Sequence, residues 1–469
     1  ASESVTTEAN RKNEYVTGGT VSGNTITNFA SSGISVNSGS TLTEISGNNI
    51  SSGKGAALYI SSSTITGGVT GNTISDVTDV SSKNLGHGIY VTASTLTGAL
   101  SDNRITNCTG YGINISAKST TGDISLNTID TVKGDGLYIS SSTIGGVIDA
   151  NEISNVLKYS STMAYAGNGI YITASACKKA IQKNTLRACA CFGVSVSAKS
   201  TTVSINSNTI DNVKGDGIYI SGATVSGTIK GNTISNVGKY SSKLTYAGNG
   251  IYITAGKCTK AIQSNSIQNC TGFGMCVSSK STVAAISSNT IDNVKGDGLY
   301  ISGSTVKGLI SGNTITNVKK YSSTNTYAGN GLYITGSTCK KAVQSNTIKS
   351  CACFGITVSS SSKVPSITSN TITSVKGCGI YITNSTVSGS ISKNKITTVK
   401  KYGANFAGEG IYVTSNATAK TITSNTIKKC SDYAILNYAR QSGLKITGNK
   451  FSGNKKKIYV NGTGTVQKK

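Results

Sequence analysis

Proline occurs once, histidine once, methionine twice and tryptophan not at all in this chain of 469 residues. With a single proline, almost every residue keeps its N–H for a hydrogen-bond ladder, and proline-rich or collagen-like segments are excluded. One histidine, and no C-x-x-C pair among 12 cysteines, leave no ligand set for a zinc site. Acidic residues number 18 against 44 lysines and arginines, a formal net charge of +26. Only Arg11, Arg104, Arg187 and Arg440 are arginine. That scarcity speaks against nucleic acid as a partner, because base and bidentate phosphate contacts draw on arginine. No apolar run approaches the roughly 18 residues of a transmembrane helix. Glutamate and methionine are scarce while Ser, Thr, Asn, Gly, Ile, Val and Tyr dominate, which rules out an all-helical chain.

What the chain has instead is a repeat. Asn-x-Ile, with Leu or Phe once each in the third place, runs from Asn24, Asn48 and Asn72 to Asn449, seventeen times in all. The spacing is 24 residues, lengthened to 31 or 33 at every third step, so that Asn103, Asn184, Asn265 and Asn346 stand 81 apart. One unit, residues 208–231, reads NTIDNVKGDGIYISGATVSGTIKG. Two stretches alternate apolar and polar residues, and a third apolar pair, Val225 and Ile229, closes the unit; this is strand grammar between Gly, Ser and Asn turns. Three short strands per unit predict an all-β coil that stacks on itself, and about 17 coils at roughly 4.8 Å make a rod on the order of 80 Å long.

The pattern N-x-I…G-I-x-I…I…N-x-I resembles the right-handed single-stranded parallel β-helix (solenoid) of pectin-lyase-like proteins, a superfamily of lyases, glycoside hydrolases, phage tailspikes and surface adhesins. The resemblance implies a β-helix over residues 24–454, with an N-terminal cap segment at 1–23 and a last partial coil and basic tail at 455–469. It leaves activity open. The start has neither Met nor the apolar core of a signal peptide, as in a mature secreted chain or a fragment.

The recurring positions sort into columns. An Asn at one place in every coil suits a buried bend, bonding the turn backbone and the Asn of the next coil; the row is scaffold. Five residues on, Cys108, Cys189, Cys270, Cys351 and Cys430 alternate with valines such as Val213 and Val237, and Cys177, Cys258 and Cys339 share the slot of Val225. Exchange with valine points to buried thiols. The alternative is three disulfides, Cys177–Cys189, Cys258–Cys270 and Cys339–Cys351. Tyr59, Tyr90, Tyr138, Tyr171, Tyr219, Tyr252, Tyr300, Tyr333, Tyr381 and Tyr412 are flanked by inward apolar residues and so point outward, with Asn114, Ser195, Cys276 or Thr357 in the third coil. Two readings of this ladder stay open: strand propensity with cross-strand packing, or rings that stack sugars.

The inserted segments repeat too. Residues 157–169 read LKYSSTMAYAGNG, 238–250 GKYSSKLTYAGNG, 319–331 KKYSSTNTYAGNG and 400–410 KKYGANFAGEG. Each carries lysine and two aromatics (Tyr159 and Tyr165, Tyr240 and Tyr246, Tyr321 and Tyr327, Tyr402 and Phe406), as a binding loop or a clasp between loops would. Lys133, Lys214, Lys295 and Lys376 recur in V-K-G-D/C-G, and Lys118, Lys199, Lys280 and Lys363 in an S-K-S-T turn. Lysine spread along an exposed rod favours a polysaccharide or anionic cell-surface polymer as partner, and an extracellular or cell-surface location. Thr-x-Thr segments at 25–27, 314–316 and 371–373 resemble those of ice-binding solenoids, but Asp, Arg and Lys interrupt the columns.

Catalysis needs a constellation that does not repeat. Asp135, Asp216 and Asp297 of K-G-D-G, like Asp130, Asp211 and Asp292, return every 81 residues, as turn caps or partners of nearby lysines would. One region breaks the pattern: Asp102, Arg104, Asp123, Asp130, Asp149 and Glu152 fall on three successive coils. Arg104 and Glu152 share an outward column about 10 Å apart, with Asp130 on the coil between. If the chain is an enzyme, Asp130, Glu152 and Arg104 are its catalytic candidates, as a hydrolase carboxylate pair or, as the resemblance to pectate lyases implies, an acid cluster holding Ca2+ beside a basic residue. Scattered surface charge is the simpler reading. No other cofactor or metal is expected, and His87 has no recurring partner. The favoured expectation is a non-catalytic, adhesin-like β-helix that binds polysaccharide or another extended surface through its Tyr and Lys columns. A lyase or hydrolase near 102–152 and a purely structural rod are the alternatives.

Overall fold

The computed structural model describes residues 17–80, 86–158, 166–240, 248–321 and 328–467. Every regular element among them is a β-strand, and no helix is long and apolar enough to cross a membrane. Each coil gives one strand to a 17-stranded sheet built on the Asn-x-Ile segments, such as Thr209–Asp211 and Thr233–Val237. It gives a second to a stack built on the Ile-Tyr-Ile segments, such as Ile218–Ser221 and Ile251–Thr254. The closing stretch bends at Ser226–Thr228, so it forms two strands, Thr224–Val225 and Ile229–Lys230, rather than one. These short strands make up a third sheet of 31 strands. In Thr386–Ser392 the two merge, with a register shift between Val387 and Ser390.

Neighbouring coils pair in parallel and in step: Ile210 lies beside Ile234, Ile218 beside Ile251 and Ile229 beside Ile262. All six are fully buried. The core is therefore one column of like residues stacked on like, each coil burying its apolar side chains against the coils above and below at about 1.5–3 kcal/mol per side chain. Close stacking also explains the glycine before each Ile-Tyr-Ile strand. A Cβ on Gly217 would stand 2.4 Å from Ile234 Cγ2 and 2.6 Å from the Gly250 carbonyl.

The asparagine ladder forms as expected and runs from coil to coil. Asn208 donates through its backbone N–H and its Nδ2 to Asn232 Oδ1, at 3.0 and 2.9 Å, and Nδ2 also reaches the Ile181 carbonyl. At the far end Gln467 takes the acceptor role for Asn449, at 2.8 Å from its N–H. A second ladder, of serines, runs beside it: the N–H of Ser337 donates to Ser362 Oγ and that of Ser362 to Ser385 Oγ. The 12 cysteines are free and buried, with no disulfide among them. Burial pushes the Cys177 and Cys189 thiols up to about 12, so they act as small apolar fillers rather than nucleophiles. Strand Thr20–Ser22 pairs with Glu44–Ser46, and Lys456–Val460 pairs with Tyr433–Asn437.

Candidate functional site

The outward face of the Ile-Tyr-Ile stack is a packed aromatic ridge. Tyr138 and Tyr171, Tyr219 and Tyr252, and Tyr300 and Tyr333 pair at 5.7, 5.6 and 5.5 Å between ring centroids. The third coil, whose outward residue is small, supplies a ring from three positions earlier. Tyr111, Phe192 and Phe273 stack on Tyr138, Tyr219 and Tyr300 at 4.7, 4.5 and 4.7 Å. Ser195, Cys276 and Thr357 are buried beneath this ridge. Ser197, Ser278 and Ser359 donate to the hydroxyls of Tyr171, Tyr252 and Tyr333. The tyrosines thus spend much of their ring faces on one another and show solvent their edges. Sequence reasoning missed Tyr111, Phe192, Phe273 and Phe354; the signal was an aromatic before Gly at an 81-residue period.

His87 belongs to this ridge, between Tyr90 and Tyr111. It stacks on Tyr111 at 5.1 Å, and its Nδ1 accepts the Tyr111 N–H at 3.1 Å. Burial, opposed in part by Asp79, lowers its pKa to about 4 and keeps the ring neutral.

The tyrosine-bearing loops clasp one another through lysine. Lys158 Nζ lies 3.7 Å from the Tyr240 ring centroid, Lys239 4.2 Å from Tyr321 and Lys320 4.7 Å from Tyr402. Each pair links consecutive loops across three coils. Tyr159, Tyr165, Tyr246 and Tyr327 lie outside the described residues. The V-K-G lysines and the turn lysines are exposed and enter no ion pair among the described residues; the pair found there is Lys456 with Asp432. Lys363 departs from its expected column. The left-handed turn position of Lys118, Lys199 and Lys280 falls to Ser361 in the next block, and Lys363 sits in a strand beside Thr386.

The acids are not lysine partners either. Asp130 accepts from Ser154 Oγ at 2.6 Å and Asn155 Nδ2 at 2.8 Å, and Asp211 accepts from Ser235 and Asn236 in the same way. Asp135, Asp216 and Asp297 are buried where a loop rejoins the next coil. Asp135 accepts from the N–H groups of Gly167 and Asn168 and from Asn168 Nδ2, at 3.1, 2.8 and 2.7 Å. Burial pushes all three carboxyls up to about 7 against the pull of those bonds.

Around residues 102–152 the register places Arg104 beside Thr128 and Thr128 beside Glu152, with Asp130 beside Thr106 and Ser154. Arg104 and Glu152 are exposed on a flat strand face, two coils apart. Although partial burial opposes it, hydrogen bonds from Ser154, Asn155 and Thr131, with Arg104 nearby, hold the Asp130 carboxyl below the usual range. An acid so held is a poor proton donor at neutral pH. Asp123 is spent on the Val147 N–H at 2.8 Å. No group of three or more His, Cys, Asp or Glu side chains is placed to hold a metal among the described residues. Arg104, Asp130 and Glu152 share one strand face.

A family model described as the right handed beta helix region matches residues 12–186, 121–282, 168–339 and 249–417. The chain belongs to the right-handed β-helix family. Among curated proteins, none matches this β-helix. Among solved structures, it is similar to the A-module of the mannuronan C-5 epimerase AlgE4 of Azotobacter vinelandii, at 12% identity over 92% of this chain and 91% of that one. The TM-score of that likeness is 0.20.

Proposed function

We propose that this β-helix is a non-catalytic, adhesin-like module that binds an extended anionic polysaccharide outside the cell or at its surface. The observation that carries this reading is the unequal fate of charge. Lys118, Lys133, Lys199, Lys214, Lys280 and Lys295 are exposed and unpaired, whereas Asp135, Asp216, Asp297 and Glu409 are buried. The surface is therefore more positive than the composition suggests, and its lysines return every three coils, about 14 Å. Tyrosine enters through ring edges and hydroxyls, as a polar border to the lysine columns, because its faces are engaged within the ridge. The six ridge tyrosines Tyr138, Tyr171, Tyr219, Tyr252, Tyr300 and Tyr333 belong to the binding face on this reading, with Tyr240 and Tyr321 of the loops beside them.

The test is retention on insoluble pectate, alginate and a neutral glucan. The expected result is retention on an anionic gel at low salt, release by salt on the order of 0.5 M, and loss in a variant with Lys118, Lys199, Lys214, Lys280 and Lys295 all changed to Glu. No retention on either anionic gel would leave a structural rod as the better reading.

A further inference from the structure

The last coils depart from the repeat at one point on the aromatic ridge. Strands Glu409–Val413 and Tyr433–Asn437 pair with Tyr412 beside Leu436 and Val413 beside Asn437, and the N–H of Tyr438 then donates to the Val413 carbonyl. Tyr438 thus occupies the place of Ser197, Ser278 and Ser359, which in earlier blocks sit next to Thr173, Thr254 and Thr335. Arg440, two residues on, takes the offset at which earlier blocks carry Lys199, Lys280 or Ser361. Here, where Tyr replaces Ser and Arg replaces Lys, lies a shallow, open hollow of about 660 Å³ lined by Tyr412, Thr414, Ser415, Tyr438, Arg440 and Asn461. Its walls come from three successive coils.

We propose that this hollow is a discrete site for a carboxylated sugar residue, an acidic unit of a glycan chain. The choice of a sugar rests on the polysaccharide reading above. The carboxylate follows from Arg440. Its guanidinium is exposed, makes no ion pair or hydrogen bond among the described residues, and offers the planar fork that matches a carboxylate, which lysine does not. The ring follows from Tyr438, 38% exposed and the one aromatic so open among the described residues. It stands 6.0 Å from Tyr412 at 63° and 5.1 Å from Tyr459 at 54°, so no neighbour is stacked flat on it. A pyranose can lie against such a surface while Ser415 and Asn461 meet its hydroxyls. Thr414 donates its own proton to Asn416 Oδ1 at 2.6 Å, which leaves its oxygen to accept. Elsewhere on the rod lysines recognise charge; here arginine and an open ring recognise one acidic residue.

Calorimetric titration of the full chain with galacturonate, glucuronate and mannuronate trisaccharides, each also as its methyl ester, tests this. At least one free acid should bind at one site per chain, and its affinity should fall about tenfold or more on esterification. Arg440→Gln should lose as much, Arg440→Lys less, and Tyr438→Ser, which restores the residue of the earlier blocks, should also lose it. Both residues are exposed, and circular dichroism of each variant checks that it folds. The proposal is overturned if no trisaccharide binds, if several bind per chain, if the esters bind equally, or if Arg440→Gln binds as well as the parent. The two readings fail separately: Arg440→Gln held on an anionic gel keeps the rod-wide reading whatever the trisaccharides do, and trisaccharide binding without gel retention keeps only the site.

Discussion

Three of the four tyrosine-bearing loops join the rod in one way and the fourth in another. At the three, a K-G-D-G coil meets a loop ending A-G-N-G; at the fourth, K-G-C-G meets A-G-E-G. Asp216 accepts from the N–H and Nδ2 of Asn249, both at 2.8 Å. Cys378 and Glu409 reverse the parts: the acid sits on the following coil, accepts the N–H groups of Ala407 and Gly408 at 3.1 and 3.2 Å, and receives the Cys378 thiol at 3.5 Å. The junction requires one buried carboxyl facing the N–H groups where the loop returns, and either coil can supply it. Acids on both coils would repel, and on neither would leave buried donors unpaired.

The largest expected effect belongs to the three aspartates together. At the junctions Asp135, Asp216 and Asp297 are pushed up to about 7 by burial, so the folded rod holds protons that the unfolded chain has released. Stability must then fall as pH rises from the ordinary carboxylate range to about 7 and level off above it. Between about pH 5 and 7 each aspartate contributes roughly 2 kcal/mol of that fall. His87, lowered to about 4, works in the opposite sense, costing roughly 2 kcal/mol on acidification over the same window. Three outweigh one, so urea denaturation should show a rod more stable near pH 5 than near pH 7. The triple variant Asp135→Asn, Asp216→Asn and Asp297→Asn should reverse the slope to that of His87 alone.

Single substitutions compare the two junction types more sharply. Asp216→Ala removes the buried acceptor of the Asn249 N–H and Nδ2 and should cost about 3 kcal/mol at neutral pH. Cys378→Ala removes one weak donor from an acid that keeps its backbone bonds, and should cost about 1 kcal/mol. Transplanting the fourth arrangement gives a smaller, more specific signal. Asp216→Cys removes the acceptor and Asn249→Glu crowds a second acid against the first, but together they rebuild the Cys378–Glu409 pair. The double variant should be about 1–2 kcal/mol more stable than the sum of the singles. Additivity within error would mean that the two junctions are not versions of one device.

This equivalence marks where the sequence stops being legible. The period, the Asn-x-Ile column, the inward cysteines and the outward tyrosines follow from spacing, because each relates a residue to its own coil or to a like residue one coil on. The partner of Asp135 is Asn168, 33 residues away and beyond a loop, and nothing local announces that they meet. Asp135 therefore looks like a turn cap or the partner of Lys133. His87 looks idle for the same reason, since Tyr111 is its neighbour only through stacking. The serine ladder is hidden by a composition in which serine is everywhere. Arg440 and Tyr438 escape notice because recurrence points to another break, at 102–152, where Arg104 and Glu152 lie exposed on a strand face two coils apart.

The smallest effects concern the lysine clasps, which carry the contrast between loops outward to the surface. The Lys158–Tyr240, Lys239–Tyr321 and Lys320–Tyr402 distances lengthen from 3.7 to 4.2 to 4.7 Å toward the fourth loop. That loop has other means of support. Tyr402 bridges to Phe406, and Phe406 packs in an apolar cluster with Cys353, Phe354 and Cys378 that no other loop possesses among the described residues. Lys158→Ala should therefore lower stability by about 0.5–1 kcal/mol, as an exposed cation–π contact allows, and Lys320→Ala by less. Amide exchange in the coils flanking each loop resolves so small a difference better than a global melt, since loop release is a local opening. Equal loss of protection at both loops would show that the apolar cluster does not stand in for the clasp, and that the fourth loop differs from the others only at its buried junction.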